Sequence, residues 1–387
     1  MSSGRAILFT AFEPSGDALA ARLISELRRR DGSRPIYALG GEAMQAAGAQ
    51  LIEHSTEHAA MLRDAIAQVA SHKRRLGRLA TWMREHPLAA VVPTDSPAAN
   101  WGVCKLARKL QPDAKVLHLA APQLWAWASW RVRRMQRLSD LALCLLPFEP
   151  EWFAQRGVKA TFVGHPLFEE IEAGVASVSP DLPTTAGMKL ALLPGSRHKE
   201  IDRNWPTMLR AHHQLLARHG ELRAVVALRN EQAQRWKDAA THKARLREDP
   251  TLMTVAGRTR EVLRWADVVL TVSGTATLEV LAMRRPMVAL YNAGRIEWHA
   301  VGQFLISTRT FTLPNLVSEH LGEGRVIEEL VPHFGAVPPV VAAVDRLLTD
   351  ASARAKQVAT FDRIRAVFSQ TRFSEAAGDA VQAALEN

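Results

Sequence analysis

In LALLPGSRHKEI, residues 190–201, four apolar residues stop against Pro194, Gly195 and Ser196, and the basic residues Arg197, His198 and Lys199 follow at once. Leu190–Leu193 is too short for a helix and is bounded by breakers, so it reads as a buried strand. Gly195 lets the backbone come close to another group, and Ser196 is placed to cap a following helix or to present its hydroxyl. Arg197 adds a fixed positive fork beside a helix N-terminus, which suits an anionic oxygen cluster such as phosphate. An ordinary strand-to-helix turn with a solvated arginine would carry the same local sequence.

The scheme continues downstream. RAVVALRN, TLMTVAG, ADVVLTVSG and PMVALYN are further buried β runs separated by helical stretches. Upstream, AILFTAFE, PIYALGG, LAAVVPTDSPA, KVLHLAAPQ, DLALCLLPF and ATFVGHP repeat the pattern. Apolar strands alternating with helices predict parallel sheets covered on both faces. The expected fold is therefore α/β, with two facing Rossmann-like domains. The first spans 1–171, and the stretch 172–187, rich in small residues and Pro, reads as a linker. The second spans 188–360, and a C-terminal helix over 361–387 is free to pack back on the first domain. Ligands of such sheets bind outside the carboxyl ends of the strands, so the expected active site is an inter-domain cleft lined by strand-end loops.

The chain has 387 residues, 47% of them hydrophobic and 23% charged, as in globular proteins with more than one core. Two cysteines, Cys104 and Cys144, exclude a disulfide framework or a zinc-binding spacing and fit a reducing, cytosolic compartment. The start, MSSGRAILFTAFEPSGD, has neither a charged n-region nor a long apolar h-region, so no signal peptide is expected. Pro and charge interrupt every apolar run, so no transmembrane helix is expected. The net charge of +10 favours nucleic acid, anionic lipid or phosphorylated substrates. HKRRLGR (72–78) and RVRRMQR (131–137) concentrate it. Trp125, Trp127 and Trp130 stand before Arg131, Arg133 and Arg134, the mixture expected at a membrane surface. No nucleic-acid-binding motif accompanies either run.

The strand-end loops supply the candidate chemistry. Ser273, Gly274 and Thr275, in SGTATLE, are expected to leave free backbone N–H groups at a helix N-terminus, with Glu279 one turn on and able to reach a ribose hydroxyl pair. A capped helix with a solvated Glu is the alternative. Asp95 ends a strand, where it would serve as a general base or close an Asx-type turn before Ser96-Pro97. Glu13 and Asp17 flank Pro-Ser15-Gly at the first strand end, and Asp17 is placed to favour its own helix N-terminus. His165, in VGHP, is a polarising imidazole or a turn residue. No Asp-x-Asp strand end, Walker loop or opening G-x-G-x-x-G is present. A bound diphosphate would then be neutralised by Arg197 and helix N-termini rather than by a metal.

EPSGD, TDSPAAN, PQLWAW, LLPFEPEWFAQRGVKATFVGHPL, LALLPGSRHKEI, SGTATLEVLAMRRPMVALY and LPNLV together resemble the lipid-A-disaccharide synthases, over residues of about 6 to 335. The resemblance implies the GT-B fold and transfer of 2,3-diacylglucosamine from its UDP conjugate to the 6-hydroxyl of 2,3-diacylglucosamine 1-phosphate. Inversion at the anomeric carbon and release of UDP would follow. It implies no metal and no cofactor, acylated glucosamine phospholipid substrates, no nucleic acid, and a peripheral place on the cytoplasmic face of the inner membrane. A homodimer is left open. By the same resemblance Asp95, Arg197 and Glu13 are catalytic. Ser196, Arg197, Ser273, Gly274, Thr275, Glu279 and Asn315 bind the UDP-sugar, while Ser15, Asp17 and His165 are further cleft candidates. The alternatives are a related GT-B enzyme, such as a lipid-linked N-acetylglucosamine transferase or UDP-sugar epimerase, and a non-catalytic UDP-sugar or lipid binder. The chain departs from the family pattern in three places. Ala98 replaces an acidic residue, Ala128 replaces an arginine, and residues 58–83 read as an amphipathic basic helix in place of an apolar Met-Gly-centred stretch.

Overall fold

The computed structural model describes residues 4–56, 65–174, 181–247, 249–295, 298 and 308–386. They form two units, one running to Pro166 and resuming at Ser369, the other spanning Leu167–Phe368.

The first unit holds β1 (Ala6–Thr10), β2 (Ile36–Gly40), β3 (Gln50–His54), β4 (Leu88–Pro93), β5 (Lys115–Leu119), β6 (Leu141–Cys144) and β7 (Ala160–Phe162). They make one seven-stranded parallel sheet in the order β3-β2-β1-β4-β5-β6-β7. Along β1, Ile7 and Phe9 enter one core, while Ala6 and Leu8 enter another on the opposite face. This is why β1 reads as a continuous apolar run: side chains alternate between two covered faces. Helix α1 (Pro14–Arg30) and the C-terminal helix Phe373–Glu386 supply one cover. α3 (Ala65–Glu85) and α4 (Pro97–Leu110) supply the other, and α2 is the short helix Glu42–Ala46. The described part of the basic segment 58–83 is thus α3, and residues 58–64 lie outside the described residues. Smaller helices α5 (Val132–Leu138) and α6 (Glu149–Ala154) follow, and α7 (Pro166–Ala173) leads into the second unit.

The second unit holds β8 (Lys189–Leu193), β9 (Arg223–Leu228), β10 (Met253–Ala256), β11 (Val268–Val272), β12 (Met287–Asn292) and β13 (Glu328–His333). Their parallel order is β10-β9-β8-β11-β12-β13. α8 (His198–Arg218), α9 (Glu231–Lys243), α10 (Thr259–Trp265) and α11 (Thr275–Ala282) are the crossovers. The helices Leu313–His320, Val337–Thr349 and Ala351–Ser369 follow. Leu190, Leu192, Trp205, Leu270 and Val344 share its core.

The boundaries differ from the sequence expectation. The described part of the 172–187 stretch is bound to the second unit. Arg258 grips Asp181 through two bonds of 2.8 and 2.9 Å, and Trp265 Nε1 donates to Pro183 O at 2.8 Å. Composition marked a linker there because prolines and small residues do not reveal such side-chain anchors. The single helix expected over 361–387 is two helices, broken near Thr371. The break lets Phe373, Ala377 and Val381 enter the first unit's core.

Gly164 makes that return possible. Its φ is +77°, and a Cβ there would lie 2.1 Å from the Thr371 carbonyl oxygen. Gly164→Ala adds a left-handed alanine, about 1 kcal/mol, to a clash with backbone that costs a further ~1–3 kcal/mol. A drop in unfolding free energy of about 2–4 kcal/mol in urea denaturation is the expected result.

Candidate active site

Strand order reverses between β1 and β4 in the first unit and between β8 and β11 in the second. Loops leaving neighbouring strands at such a point run to opposite sides and open a crevice at the carboxyl ends. Glu13 and Asp95 follow β1 and β4, while the Arg197 turn and the Ser273–Thr275 loop follow β8 and β11. Each crevice is thus lined by loops that the sequence had singled out. His165 is placed elsewhere. It is half-buried after the edge strand β7, three strands from β4 and so roughly 14 Å away at strand spacing.

Asp95 and Ser96 both adopt left-handed backbone, with φ of 49° and 39°. Two successive non-glycine residues in that region store strain, which persists where the surroundings over-determine it. Those surroundings are specific. Asp95 N donates to Leu119 O at 3.0 Å. Asn100, fully buried in α4, donates from Nδ2 to Thr94 O (3.0 Å) and Asp95 O (2.7 Å) and accepts from Thr10 Oγ1 at 2.7 Å. Asn100 is therefore a positioning residue that the sequence reading quoted in TDSPAAN without giving it a role. Ser96 Oγ is buried and has no hydrogen-bond partner among the described residues. The first loop abuts this turn: a Cβ on Gly16 would sit 3.6 Å from Asp95 Cβ and 3.4 Å from Thr94 O. Glu13 and Ser15 are exposed at its tip. Asp17 is not part of the crevice surface. It is buried and accepts from the N–H groups of Gly41 (2.7 Å), Ala43 (3.0 Å) and Met44 (3.3 Å), so it caps α2 rather than its own helix.

The turn after β8 already grips one anion. Glu200 Oε2 accepts from Ser196 N (3.0 Å) and Arg197 N (3.3 Å), and Arg197 Nη1 donates to Glu200 Oε1 at 3.1 Å. Gly195, at φ +119°, is required here, because a Cβ would lie 2.7 Å from Glu200 Cβ. The helix cap is Arg197, not Ser196 as expected. Arg197 keeps most of its guanidinium in solvent, with the side chain 78% exposed.

After β11, Gly274 has φ +146° and ψ −162°, a region open essentially to glycine alone, and space for a Cβ there is empty. Gly274 and Thr275 are exposed at the start of α11, where the first N–H groups have no intrahelical acceptor. Ser273 differs from expectation, since its N–H goes to Leu290 O (3.1 Å) and its Oγ to Phe311 O (2.6 Å). Glu279 is not solvated. Arg260 Nε holds it at 3.1 Å and reaches Glu170 with Nη2. Arg260 carried no signal in the sequence, because its partners come from distant segments. Asn315 is fully buried and spent. Nδ2 donates to Ile327 O (2.9 Å) and Glu329 Oε1 (2.8 Å), while Oδ1 accepts from Val326 N (2.8 Å) and Ile327 N (2.9 Å). An amide has two donors and one acceptor oxygen, so nothing remains for a sugar. Asn315 instead ties its own helix to residues 326–327 and to Glu329, whose carboxylate accepts from Phe311 N and Thr312 N beside the carbonyl that receives Ser273.

The Trp–Arg segment is divided likewise. Trp127 and Trp130 are 44% and 60% exposed, and Arg131 lies 4.3 Å over the Trp127 ring. Arg133 and Arg134 are exposed on α5. Trp125, at 7%, is an anchor rather than a surface group: Nε1 donates to Glu149 Oε1 at 2.9 Å, and its ring meets Phe148 edge-on. Glu149, from LPFEPE, also accepts from Leu146 N at 3.1 Å. Burial outweighs these bonds and pushes its carboxyl up to about 7. The folded state then holds a proton that the unfolded chain releases near pH 4.5. The contribution of Glu149 to stability should fall as pH rises from about 4.5 to about 7, by on the order of 3 kcal/mol, against an opposite rise from His118 and His212, which burial keeps neutral down to about pH 4. Calorimetric melting across this range should show the stability of wild type falling relative to that of Glu149→Gln, the difference that isolates this carboxyl from the histidines.

Two parallel-sheet units with their strand-end loops at the switch points define the class, a GT-B architecture of the kind used by glycosyltransferases. Solved structures agree. The S. aureus MnaA–UDP co-structure superposes with a TM-score of 0.62 at 12% identity, covering 93% of this chain and 95% of its own. CalG4, the calicheamicin glycosyltransferase, superposes with 0.58 at 19% identity, covering 100% and 99%. At such identities the likeness lies in the fold. Sequence comparison is narrower. The profile of the Lipid-A-disaccharide synthetase family matches residues 7–383. A lipid-A-disaccharide synthase of Anaeromyxobacter dehalogenans (strain 2CP-1) is 33% identical over 371 residues, 93% of this chain and 92% of its own. One from Xanthomonas campestris pv. campestris (strain 8004) is 32% identical over 381 residues, covering 91% and 84%. The chain belongs to the lipid-A-disaccharide synthase family and is a glycosyltransferase of lipid A biosynthesis.

Proposed function

We propose that the enzyme transfers 2,3-diacylglucosamine from its UDP conjugate to the 6-hydroxyl of 2,3-diacylglucosamine 1-phosphate. The acceptor oxygen attacks the anomeric carbon on the face opposite UDP, the bond from that carbon to the diphosphate oxygen breaks, and UDP leaves with the electron pair. Asp95 takes the hydroxyl proton as the new bond forms. Charge accumulates on the departing diphosphate, so fixed positive groups help most in the transition state. Arg197 and the exposed N-terminus at Gly274–Thr275 supply them, which needs no metal. The observation that carries this reading is the strained Asp95–Ser96 turn at a switch point, braced by buried Asn100.

Two structural neighbours bind such nucleotides, S. aureus MnaA in its UDP co-structure and a UDP-GlcNAc 2-epimerase of Neisseria meningitidis bound to UDP-GlcNAc, which supports a UDP-sugar here. Among the described residues no helix is long and apolar enough to cross a membrane. Each buried CH₂ of an acyl chain is worth roughly 0.8 kcal/mol, so diacylated substrates stay in the bilayer and the enzyme must come to them. Exposed Trp127 and Trp130, with Arg131, Arg133 and Arg134, suit docking on the cytoplasmic face of the inner membrane. Vesicles containing phosphatidylglycerol should co-sediment wild type and release Trp127→Ser/Trp130→Ser. Equal pelleting of both would remove the docking role, while failure of wild type to pellet would favour a water-soluble UDP-sugar as substrate.

A further inference from the structure

We propose that the second unit carries a separate anion site for a phosphate-bearing ligand, built from Lys189, Arg284, Arg285 and Arg354 at the amino-terminal end of its sheet. These residues line an open groove of about 680 Å³. Lys189 begins β8, Asp267 precedes β11, and Arg284 and Arg285 precede β12. A five-residue strand spans about 16 Å, so the groove lies at the opposite edge of the sheet from Arg197 and Gly274.

Its charges do not balance. Four cations line the groove with two carboxylates. Asp362 is taken by Arg284, through contacts of 2.7 and 2.8 Å. Asp267 accepts the backbone N–H of Lys189 at 3.0 Å. Among the described residues, Lys189, Arg285 and Arg354 form no ion pair. Arg354 gives Nη1 to the carbonyls of Leu347 and Leu348, at 2.6 and 3.1 Å. Arg285 gives Nη2 to Arg264 O at 2.9 Å, while its Nε is buried without an acceptor among the described residues. Burial first, then Arg264 and Arg284, make this guanidinium costly to hold charged, against a favourable field from Asp267. Unpaired cations gathered in a concave surface focus a positive potential. Arginine forks match the paired oxygens of a phosphate, and a buried donor without an acceptor is a group that such an oxygen would satisfy.

The test is titration with inorganic pyrophosphate, followed by calorimetry, in an Arg197→Ala background that disables the turn at the other end. Saturable binding is expected, weakened at least tenfold on adding Lys189→Gln and Arg354→Gln. Because Arg354 also ties down helix carbonyls, Lys189→Gln alone is the second variant, with at least threefold weakening expected and an unchanged melting temperature. Absent binding, or binding untouched by Lys189→Gln, overturns the proposal. Phosphatidylglycerol vesicles that displace pyrophosphate identify the natural source as a lipid headgroup. Vesicles that leave it bound identify a free phosphorylated solute.

Discussion

Asp95→Asn is expected to lower turnover about 100- to 10,000-fold, the range general-base catalysis commonly supplies. Asparagine is the informative replacement. Asp and Asn both tolerate left-handed backbone, so the φ of 49° is preserved and the brace from Asn100 to the residue-95 carbonyl is untouched. What disappears is the capacity to accept a proton. Donor KM should change little, and the melting temperature should stay within a degree or two. An alanine at this position would add strain to the chemical loss and confuse the two. Turnover of Asp95→Asn near the wild-type rate would assign the base elsewhere, and Glu13, exposed on the neighbouring loop, would be the next candidate.

Arg197→Ala should cost about 100- to 1,000-fold in kcat, the usual loss when one preorganised charged donor is taken from a developing anion. Stability should barely move. The side chain is 78% exposed, and its pair with Glu200 is a surface i,i+3 contact worth under about 1 kcal/mol. Glu200 keeps its two backbone N–H bonds in the variant, so the turn retains its shape. Kinetics separate two roles. If kcat and kcat/KM fall together, Arg197 acts on the transition state, whereas a rise in KM alone makes it a ground-state binder of the diphosphate. Arg197→Lys should recover part of the rate, since a point charge replaces the fork.

Much of this architecture was legible in the sequence. Strands buried on both faces, such as Leu190–Leu193 and Val268–Val272, announce themselves as apolar runs ended by breakers. β3 and β13 did not. Gln50–His54 and Glu328–His333 lie at sheet edges, carry charge and are only partly buried, so they offer neither an apolar run nor a clean alternation. The strand-end rule found the loops but could not tell which polar side chains would face a ligand. Asp17, Asn315 and Ser273 have the residue types of a binding site, yet each satisfies backbone groups of its own fold. Those acceptors and donors lie 11 to 38 residues away, beyond local pattern reading. Glu149 and Arg260 were missed for the converse reason, that their importance lies in long-range partners, and Asn100 because a buried amide gripping a nearby turn and distant Thr10 leaves no local pattern. Trp125 was grouped with Trp127 and Trp130 by proximity, and only packing separated the anchor from the exposed pair.

The central claim is that Asp95 and Arg197 serve one glycosyl transfer between two acylated glucosamines. The most direct measurement is a detergent-micelle assay with EDTA and no added metal, containing UDP-2,3-diacylglucosamine and radiolabelled 2,3-diacylglucosamine 1-phosphate. Wild type, Asp95→Asn and Arg197→Ala would be compared. The account predicts a labelled disaccharide phosphate from wild type and at most about 1% of that rate from either variant. No disaccharide from wild type, or undiminished product from both variants, would contradict it.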